Sequence, residues 1–244
     1  MEWYKIAFEG DLARYWNDAL KNRENENNFL NSVLKNGLVL DLCCGPGKHS
    51  TFFSKYKQVV SLDLSRELLE KTREECKNNG RYENANLIRA DMRYLPFRSD
   101  TFDNVVDILA FGFFSDKKNE SVVQEIVRIL KKDGVYVYNN MNCPEQKRSQ
   151  IPKIAEIETE NFNILRDRKY YPKTKRVHVA LNFLSKTDGK TTSIVVNNRL
   201  YNLSELKKIF LEKGLTKDTV YGSFEKEVFD ENNSSDIIIV SHKE

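Results

Sequence analysis

Short apolar runs alternate with helical stretches through the middle of the chain. Five near-continuously apolar runs predict strands that are covered on both faces: residues 38–42, 59–64, 87–88, 102–109 and 135–138. Between the second and third runs, Ser65 is expected to cap a helix that ends near Gly80. A second helix, with apolar residues from Val122 to Leu130 on one face, is expected to end at Gly134. This alternation of strands and helices predicts a doubly wound parallel sheet.

The pattern changes on both sides of this region. We divide a single domain, residues 1–244, into a helical N-terminal cover (1–36), a core (37–140), an antiparallel insertion (141–200) and a final helix with strands (201–244). Strand-like runs beyond the core are expected at 162–165, 177–184, 194–200, 219–221 and 237–240. Ser204 is expected to cap the final helix, which ends at Gly214.

Composition excludes several classes of protein. The 244 residues are 40% hydrophobic and 31% charged, so a folded core is expected and disordered or collagen-like structure is not. Lys and Arg total 39 against 36 Asp and Glu, and the net charge of +3 does not by itself indicate a nucleic-acid partner. No apolar run reaches the roughly 18 residues of a membrane helix and no signal peptide is recognisable, so we expect a cytoplasmic protein with no membrane partner. The spacing of the cysteines and histidines predicts neither disulfides nor a zinc site.

The strongest local motif is a glycine turn between the first strand and the next helix. Its sequence is Asp41-Leu42-Cys43-Cys44-Gly45-Pro46-Gly47. Glycines let the backbone approach a ligand closely, and the free N–H groups at the start of a helix attract an anionic group. Asp63 ends the next strand, where a carboxylate can accept hydrogen bonds from both hydroxyls of a ribose. Asp91 can accept from an adenine amino group while Met92 packs on the ring, so the sequence predicts a site for a nucleoside-containing cofactor.

Five motifs follow one another in the core. They are the glycine turn at 41–47, Asp63-Leu64-Ser65, Asp91-Met92 with Leu95-Pro96-Phe97, Phe102-Asp103-Asn104-Val105-Val106, and Ile129-Leu130-Lys131-Lys132-Asp133-Gly134. In this order they resemble the motifs of the class I S-adenosylmethionine-dependent methyltransferases. The resemblance implies an α/β fold, a Rossmann-like doubly wound seven-stranded sheet with the helical cover and the antiparallel insertion added. It also implies S-adenosylmethionine as cofactor, bound by Asp41, Cys43, Gly45, Gly47, Asp63, Leu64, Asp91, Met92 and Asp107.

Three further segments extend the resemblance: Phe111-Gly112-Phe113-Phe114, Arg199-Leu200-Tyr201 and Tyr221-Gly222-Ser223-Phe224. They are similar to a subgroup of small prokaryotic-type methyltransferases that carries a strand-rich insertion before the last helix. Methyl transfer is an in-line displacement governed mainly by orientation, so no dedicated catalytic residue is predicted. The candidate substrate-binding residues are Tyr15, Phe111, Phe113, His178, Arg199 and Tyr201. Among them, His178 and Tyr201 are the candidate bases for an acceptor that must lose a proton.

Three functions are compatible with this pattern. The leading hypothesis is methyl transfer to a small molecule, because the insertion and the N-terminal helices can together cover a closed pocket. The alternative is an RNA methyltransferase, in which basic and aromatic residues of the 166–176 hairpin contact phosphates and bases. The third is a non-catalytic module that binds S-adenosylmethionine. The acceptor atom and the oligomeric state are left open by the sequence.

Overall fold

Strands and helices alternate through the first part of the computed structural model. The structure describes residues 4, 8–19, 23–53, 58–80, 85–148 and 154–244. The elements of the first part are α1 (Asp11–Ala19), α2 (Glu24–Val33), β1 (Leu38–Leu42), α3 (Lys48–Phe53), β2 (Gln58–Asp63), α4 (Arg66–Asn78), β3 (Ala85–Arg89), β4 (Phe102–Ile108), α5 (Asp116–Ile129) and β5 (Leu130–Met141). Strands β3, β2, β1, β4 and β5 lie side by side and parallel, which confirms the predicted doubly wound sheet.

The second part of the chain completes this sheet and builds another. Its elements are α6 (Glu145–Arg148), β6 (Ile154–Glu158), β7 (Phe162–Tyr171), β8 (Arg176–Ser185), β9 (Thr191–Arg199), α7 (Leu203–Glu212), β10 (Leu215–Tyr221) and β11 (Asp236–Lys243). Strands β11 and β10 add antiparallel to β5, so seven strands of the described chain form the larger sheet. Strands β6 to β9 form the separate antiparallel sheet that was expected of the insertion, although β6 was not predicted.

The larger sheet is buried on both faces, as the apolar runs predicted. Neighbouring residues of a strand point to opposite faces, and Val105 and Val106 of β4 accordingly belong to two different apolar clusters. Leu40 of β1 joins the cluster of Val105, and Val39 joins that of Val106. The central strands therefore need no polar face, because helices and the insertion cover both sides.

Two helix boundaries differ from the sequence-based expectation. Ser65 caps α4 as predicted, since its Oγ accepts from the Leu68 N–H at 3.1 Å. The cap of α7 is Asn202 and not Ser204, because Asn202 Oδ1 accepts from the Glu205 N–H at 2.9 Å and the Glu205 carboxylate accepts from the Asn202 N–H at 3.1 Å. Helix α5 ends at Ile129, and the expected stop at Gly134 lies inside β5 because the chain passes from helix to strand without a loop.

The insertion packs over the N-terminal segment with its inner face. Phe162, Ile164 and Phe183 form an apolar cluster on that face, and Phe8 and Trp16 pack against it. At the other end of the sheet, the Arg176 guanidinium donates to the carbonyl oxygens of Phe114 at 2.8 Å and Gly112 at 3.3 Å. These contacts hold the insertion above the segment that follows β4.

Candidate active site

A cleft opens at the carboxyl ends of the parallel strands. About 990 Å³ of space lies within it and in the solvent directly at its mouth. Its lining residues come from the segments after β1, β2, β3 and β4 and from the N-terminal region: Tyr4, Phe8, Trp16, Arg23, Asp41, Leu42, Cys43, Cys44, Gly45, Pro46, His49, Asp63, Leu64, Leu68, Ala90, Asp91, Met92, Ile108, Leu109, Ala110, Phe113 and Phe114. The strand ends of an open α/β sheet are the usual place for a ligand.

The two glycines of the turn have different structural tasks. Gly45 has a φ of +55°, and a Cβ added there would meet nothing within 4 Å, so the cleft reaches the backbone at this point. Gly47 has a φ of +80°, and a Cβ there would lie 2.4 Å from Thr72 Cγ2 and 2.9 Å from Thr72 Cα. Gly45 therefore leaves room beside the cleft, whereas Gly47 lets α3 and α4 approach each other and does not line the cleft.

Asp63 combines burial with two backbone donors. Its Oδ2 accepts from the Gly45 N–H at 3.0 Å and its Oδ1 from the Ser65 N–H at 2.9 Å. Burial raises the pKa of Asp63 to about 6, against the lowering effect of these two hydrogen bonds. Each carboxylate oxygen keeps a further lone pair, so the side chain can still accept two hydroxyl hydrogens from a ligand in the cleft.

Asp41 and two basic side chains form another polar part of the lining. Burial raises the pKa of Asp41, and the His49 side chain and the Ser50 hydroxyl, which donates to this carboxylate, act in the opposite direction. Arg23 and His49 both pair with Glu26, with the His49 Nε2 atom 3.2 Å from the Glu26 carboxylate. Sequence reasoning missed both as lining residues, because Arg23 lies outside every motif, directly before α2, and His49 follows the glycine turn inside α3.

Asp91 and Met92 both line the cleft after β3. The Arg93 guanidinium donates to both Asp91 oxygens, at 3.0 Å to Oδ1 and 2.5 Å to Oδ2. The same guanidinium lies 4.5 Å from the Phe114 ring centroid, so cation–π contact and ion pair together orient the carboxylate. Met92 is buried, and its sulfur lies 3.6 Å from the Cys43 thiol, which donates to it.

One predicted cofactor residue of the fourth motif lies outside the cleft. Asp107 is fully buried, and its Oδ2 accepts from the Tyr136 hydroxyl at 3.2 Å. Burial raises its pKa to about 7. The segment 108–110 takes its place in the lining, because β4 ends at Ile108 and the chain turns toward the cleft only after it. The prediction for Asp107 is corrected accordingly.

Most of the predicted substrate residues support the walls of the site without lining it. Phe113 does line the cleft, whereas Phe111 packs edge-on against Tyr138 in the core. Tyr15 packs against Phe183 of the insertion, behind the cleft. Arg199 donates to the Glu205 carboxylate at 2.7 Å. These contacts explain why the structure does not bring Tyr15, Phe111 or Arg199 to the cleft surface.

The two candidate bases are also placed elsewhere. The Tyr201 hydroxyl is buried and accepts from Asn119 Nδ2 at 2.9 Å. His178 lies opposite exposed Lys169 on the outer face of the insertion and packs on Tyr171, with ring centroids 4.4 Å apart. Neither side chain lines the cleft, because strand alternation turns His178 outward and the core encloses Tyr201.

Metal and membrane features are absent from the described part of the chain. No group of three or more His, Cys, Asp or Glu side chains could hold a metal ion within these residues. The helices found there are too short or too polar to cross a bilayer. All four cysteines lie in described segments and are free thiols.

An adenosyl sulfonium cofactor fits the residues that are present. The space beside Gly45 admits a ligand against the backbone, and the buried Asp63 carboxylate supplies acceptors for ribose hydroxyls. Leu64 and Met92 add apolar surface for a nucleobase. The predicted residues that line one cleft are Asp41, Cys43, Gly45, Asp63, Leu64, Asp91, Met92 and Phe113, and their binding roles stay predictions.

Comparison with known proteins matches the core of the chain to methyltransferases. A family model described as a methyltransferase domain matches residues 39–134. A ubiquinone/menaquinone biosynthesis C-methyltransferase, UbiE, from Wigglesworthia glossinidia brevipalpis is 27% identical over 202 residues, which are 75% of this chain and 76% of that protein. Two curated relatives at 35% identity are matched over only 30% and 40% of their own lengths.

Two solved structures share the fold over nearly the whole chain. The CcbJ methyltransferase from Streptomyces caelestis superposes with a TM-score of 0.83 at 16% identity, covering 98% of both chains. CalS10 from Micromonospora echinaspora, an amino pentose methyltransferase solved with S-adenosylmethionine bound, has a TM-score of 0.65 at 15% identity and covers 97% of this chain and 98% of its own. Residues 39–134 therefore match a methyltransferase domain, and the glycine turn and the carboxylates at one sheet edge are arranged as the resemblance to the class I S-adenosylmethionine-dependent methyltransferases implies.

Proposed function

We propose that this methyltransferase transfers a methyl group by in-line displacement to a small-molecule acceptor. The observation that carries the proposal is the aromatic wall of the cleft, formed by Phe8, Trp16 and Phe113. The Phe8 and Phe113 rings are 5.5 Å apart, and the insertion sheet packs on Phe8 and Trp16 from outside. A covered cleft with aromatic walls suits a small, planar or apolar acceptor better than a polymer.

When bound, S-adenosylmethionine supplies an electrophilic methyl group carried by a sulfonium. The chain's own contribution is orientation. Asp63 would accept hydrogen bonds from the ribose hydroxyls, and Asp91 and Met92 would hold the base. The aromatic wall would keep water away from the acceptor. Holding nucleophile and methyl carbon in line at about 3 to 3.5 Å supplies several kcal/mol of the barrier reduction. No base outside the cleft, such as His178 or Tyr201, is part of this mechanism.

The relatives support a small acceptor in two chemical classes. The UbiE relative is named for carbon methylation in quinone biosynthesis, and the CalS10 neighbour for methylation of an amino pentose. Neither name points to a nucleic-acid acceptor, which supports a small-molecule acceptor for this chain.

The distribution of cations in the 166–176 hairpin favours the small molecule over RNA. Arg176 donates to the backbone carbonyl of Phe114 at 2.8 Å and Lys175 pairs with Glu205 at 2.9 Å, so both cations serve the fold. Arg166 and Arg168 lie on the inner face of the sheet, whereas the side chains of Lys169 and Lys173 are exposed. An extended phosphate backbone needs more cations on one outer face.

A transfer assay on fractionated cell extract tests the proposal. The enzyme is incubated with S-adenosylmethionine labelled in the methyl group and with either the low-molecular-mass fraction or the RNA fraction. We expect label in the low-molecular-mass fraction and none after replacement of Asp63 by Ala. Label in ribonuclease-sensitive material would establish the RNA alternative. No label in either fraction, with S-adenosylhomocysteine binding demonstrated, would favour the non-catalytic module.

A further inference from the structure

Arginines from two distant segments meet behind the aromatic wall of the cleft. Arg166 and Arg168 belong to β7, and Arg148 ends α6. Residues two apart on a strand share a face and lie about 7 Å apart. Arg166 and Arg168 therefore point the same way as buried Phe162 and Ile164, toward the inside of the molecule.

The described cross-strand neighbours of this pair are uncharged. Across the strand borders, Arg166 faces Ala155 of β6 and Leu181 of β8, and Arg168 faces Val179 of β8. The Arg166 Nε atom is buried and has no hydrogen-bond partner in the described part of the protein. Burial, and after it the nearby Arg166 cation, lower the pKa of Arg168.

Arg148 approaches the same region from the core. Its side chain is fully buried, and its Nε donates to the Cys143 carbonyl at 2.9 Å. Both terminal nitrogens are buried without a hydrogen-bond partner among the described residues. The Cys143 thiol interacts electrostatically with both Arg148 and Arg168, so both guanidinium groups lie near it. Arg148 is enclosed, so it adds positive potential, whereas Arg166 and Arg168 are only partly buried.

One layer of aromatic side chains separates this cluster from the cleft. Arg168 interacts electrostatically with Tyr15, and the rings of Tyr15 and Trp16 are 5.5 Å apart. Trp16 lines the cleft, and its indole Nε1 is buried with no hydrogen-bond partner among the described residues. A molecule that extends from the cleft past Trp16 would therefore reach the arginine pair.

Buried cations without counter-charges are costly, and an anion that enters beside them is bound strongly. Guanidinium groups match carboxylate and phosphate oxygens in geometry as well as charge. We infer that the methyl acceptor carries a carboxylate or phosphate group, which Arg166 and Arg168 bind at the inner face of the insertion. This inference rests on the proposed function, since it names the class of that small-molecule acceptor.

Anion binding by the full-length protein tests the inference without knowledge of the acceptor. Acetate and inorganic phosphate are the probes, titrated by calorimetry and by thermal unfolding in the presence of saturating S-adenosylhomocysteine. The test variant carries Arg166→Gln and Arg168→Gln. The matched control carries Lys169→Gln and Lys173→Gln, which remove the same charge from exposed positions of the same hairpin.

We expect the wild type and the control to bind at least one probe. The test variant should bind that probe at least roughly 10-fold more weakly, because it has lost charge-assisted hydrogen bonds. Preference for phosphate or for acetate identifies the acceptor group. Equal anion affinity in the test variant, or no anion binding by the wild type, would overturn the inference. Arg168→Lys, which keeps the charge and loses the planar fork, replaces the double variant if that one does not fold. S-adenosylhomocysteine binding, measured in the same samples, reports separately on the cofactor site.

Discussion

Three buried aspartates of the core have pKa values shifted in the same direction but lie in different surroundings. Burial raises the pKa of Asp41, Asp63 and Asp107 alike. Asp63 lines the cleft and accepts from two backbone N–H groups, whereas Asp107 faces Tyr136 in the core. The same type of side chain therefore faces the cleft at one strand end and the core at another.

Replacing Asp63 by Ala should weaken S-adenosylhomocysteine binding by about 1.5 to 3 kcal/mol, the range for hydrogen bonds to a charged group. Calorimetry measures the change, and circular dichroism checks that the fold is retained. Asp107→Asn is the control, because Asp107 does not line the cleft. Equal losses of affinity in both variants would contradict the assignment of Asp63 to the ligand.

The affinity for S-adenosylhomocysteine should also depend on pH through Asp63. The ionised carboxylate is the better acceptor for ribose hydroxyls, and its pKa in the free protein is about 6. Binding is therefore expected to weaken as the pH falls below about 6, by up to about 10-fold per pH unit. Asp63→Ala should flatten this profile, and an unchanged profile in the variant would show that another group titrates.

Asp107 should make the fold less stable at higher pH. Its folded-state pKa of about 7 lies above the usual 3.8, so the folded chain binds this proton more tightly than the unfolded chain does. The stability contributed by the protonated group is complete below about pH 4 and is lost as the pH rises through 7. Relative to Asp107→Asn, the wild type should lose up to about 4 kcal/mol of unfolding free energy between pH 4 and pH 8, measured by urea denaturation. A constant difference between the two proteins would refute the shift.

At the scale of elements, the glycine turn joins β1, α3 and α4 through two glycines with separate tasks. Gly47→Ala should destabilise the fold by about 2 to 4 kcal/mol, because a positive φ is combined with collision against the Thr72 backbone. In Gly45→Ala the added methyl group meets only open space, so the variant should lose only about 1 kcal/mol of unfolding free energy. Its folded molecules should nevertheless bind the cofactor more weakly than the folded molecules of Gly47→Ala do. Denaturant unfolding measures the stability of both variants, and calorimetry measures their cofactor affinity. A larger loss of stability in Gly45→Ala, or a larger loss of affinity in Gly47→Ala, would contradict this prediction.

Most elements could be predicted because local periodicity determines them. The run at 38–42 coincides with β1, and Ser65 caps α4, since both depend on residues close in sequence. Strand β6 was missed because exposed Ile154, Glu156 and Glu158 alternate with half-buried Ala155 and Ile157, which leaves no continuous apolar run. The cap of α7 was misplaced by two residues, because Ser204 and Asn202 are both good caps and only Asn202 stands three residues before Glu205.

At the scale of the whole molecule, the insertion is a cover that contacts both the N-terminal segment and the 112–114 segment. Its inner apolar face packs on Phe8 and Trp16, and Arg176 binds carbonyl oxygens of the 112–114 segment. The cleft is therefore bounded by parts of the chain that are distant in sequence. Stability of the cover and access to the cleft depend on the same contacts.

Arg176→Gln should loosen this attachment. Loss of hydrogen bonds from a charged donor to backbone carbonyls is expected to destabilise the docked insertion by about 1.5 to 3 kcal/mol. Hydrogen exchange should become faster in β7 to β9 and stay unchanged in β1 to β5, with Lys173→Gln as the control of equal charge change. Faster exchange throughout the protein would instead indicate that the insertion and the core unfold as one unit.

The sequence by itself determined the parallel sheet, the glycine turn and the acids at the ends of β2 and β3, because apolar periodicity and strand–turn–helix motifs act over short stretches and parallel strands end at the same edge. Only the tertiary structure decided that Asp107 and Tyr201 face the core, that His178 faces outward, and which aromatic side chains cover the cleft. The tertiary structure also decided that Arg148 lies near Arg166 and Arg168. These placements depend on how the insertion and the N-terminal segment pack against the core, and contacts between such distant segments leave no local pattern in the sequence.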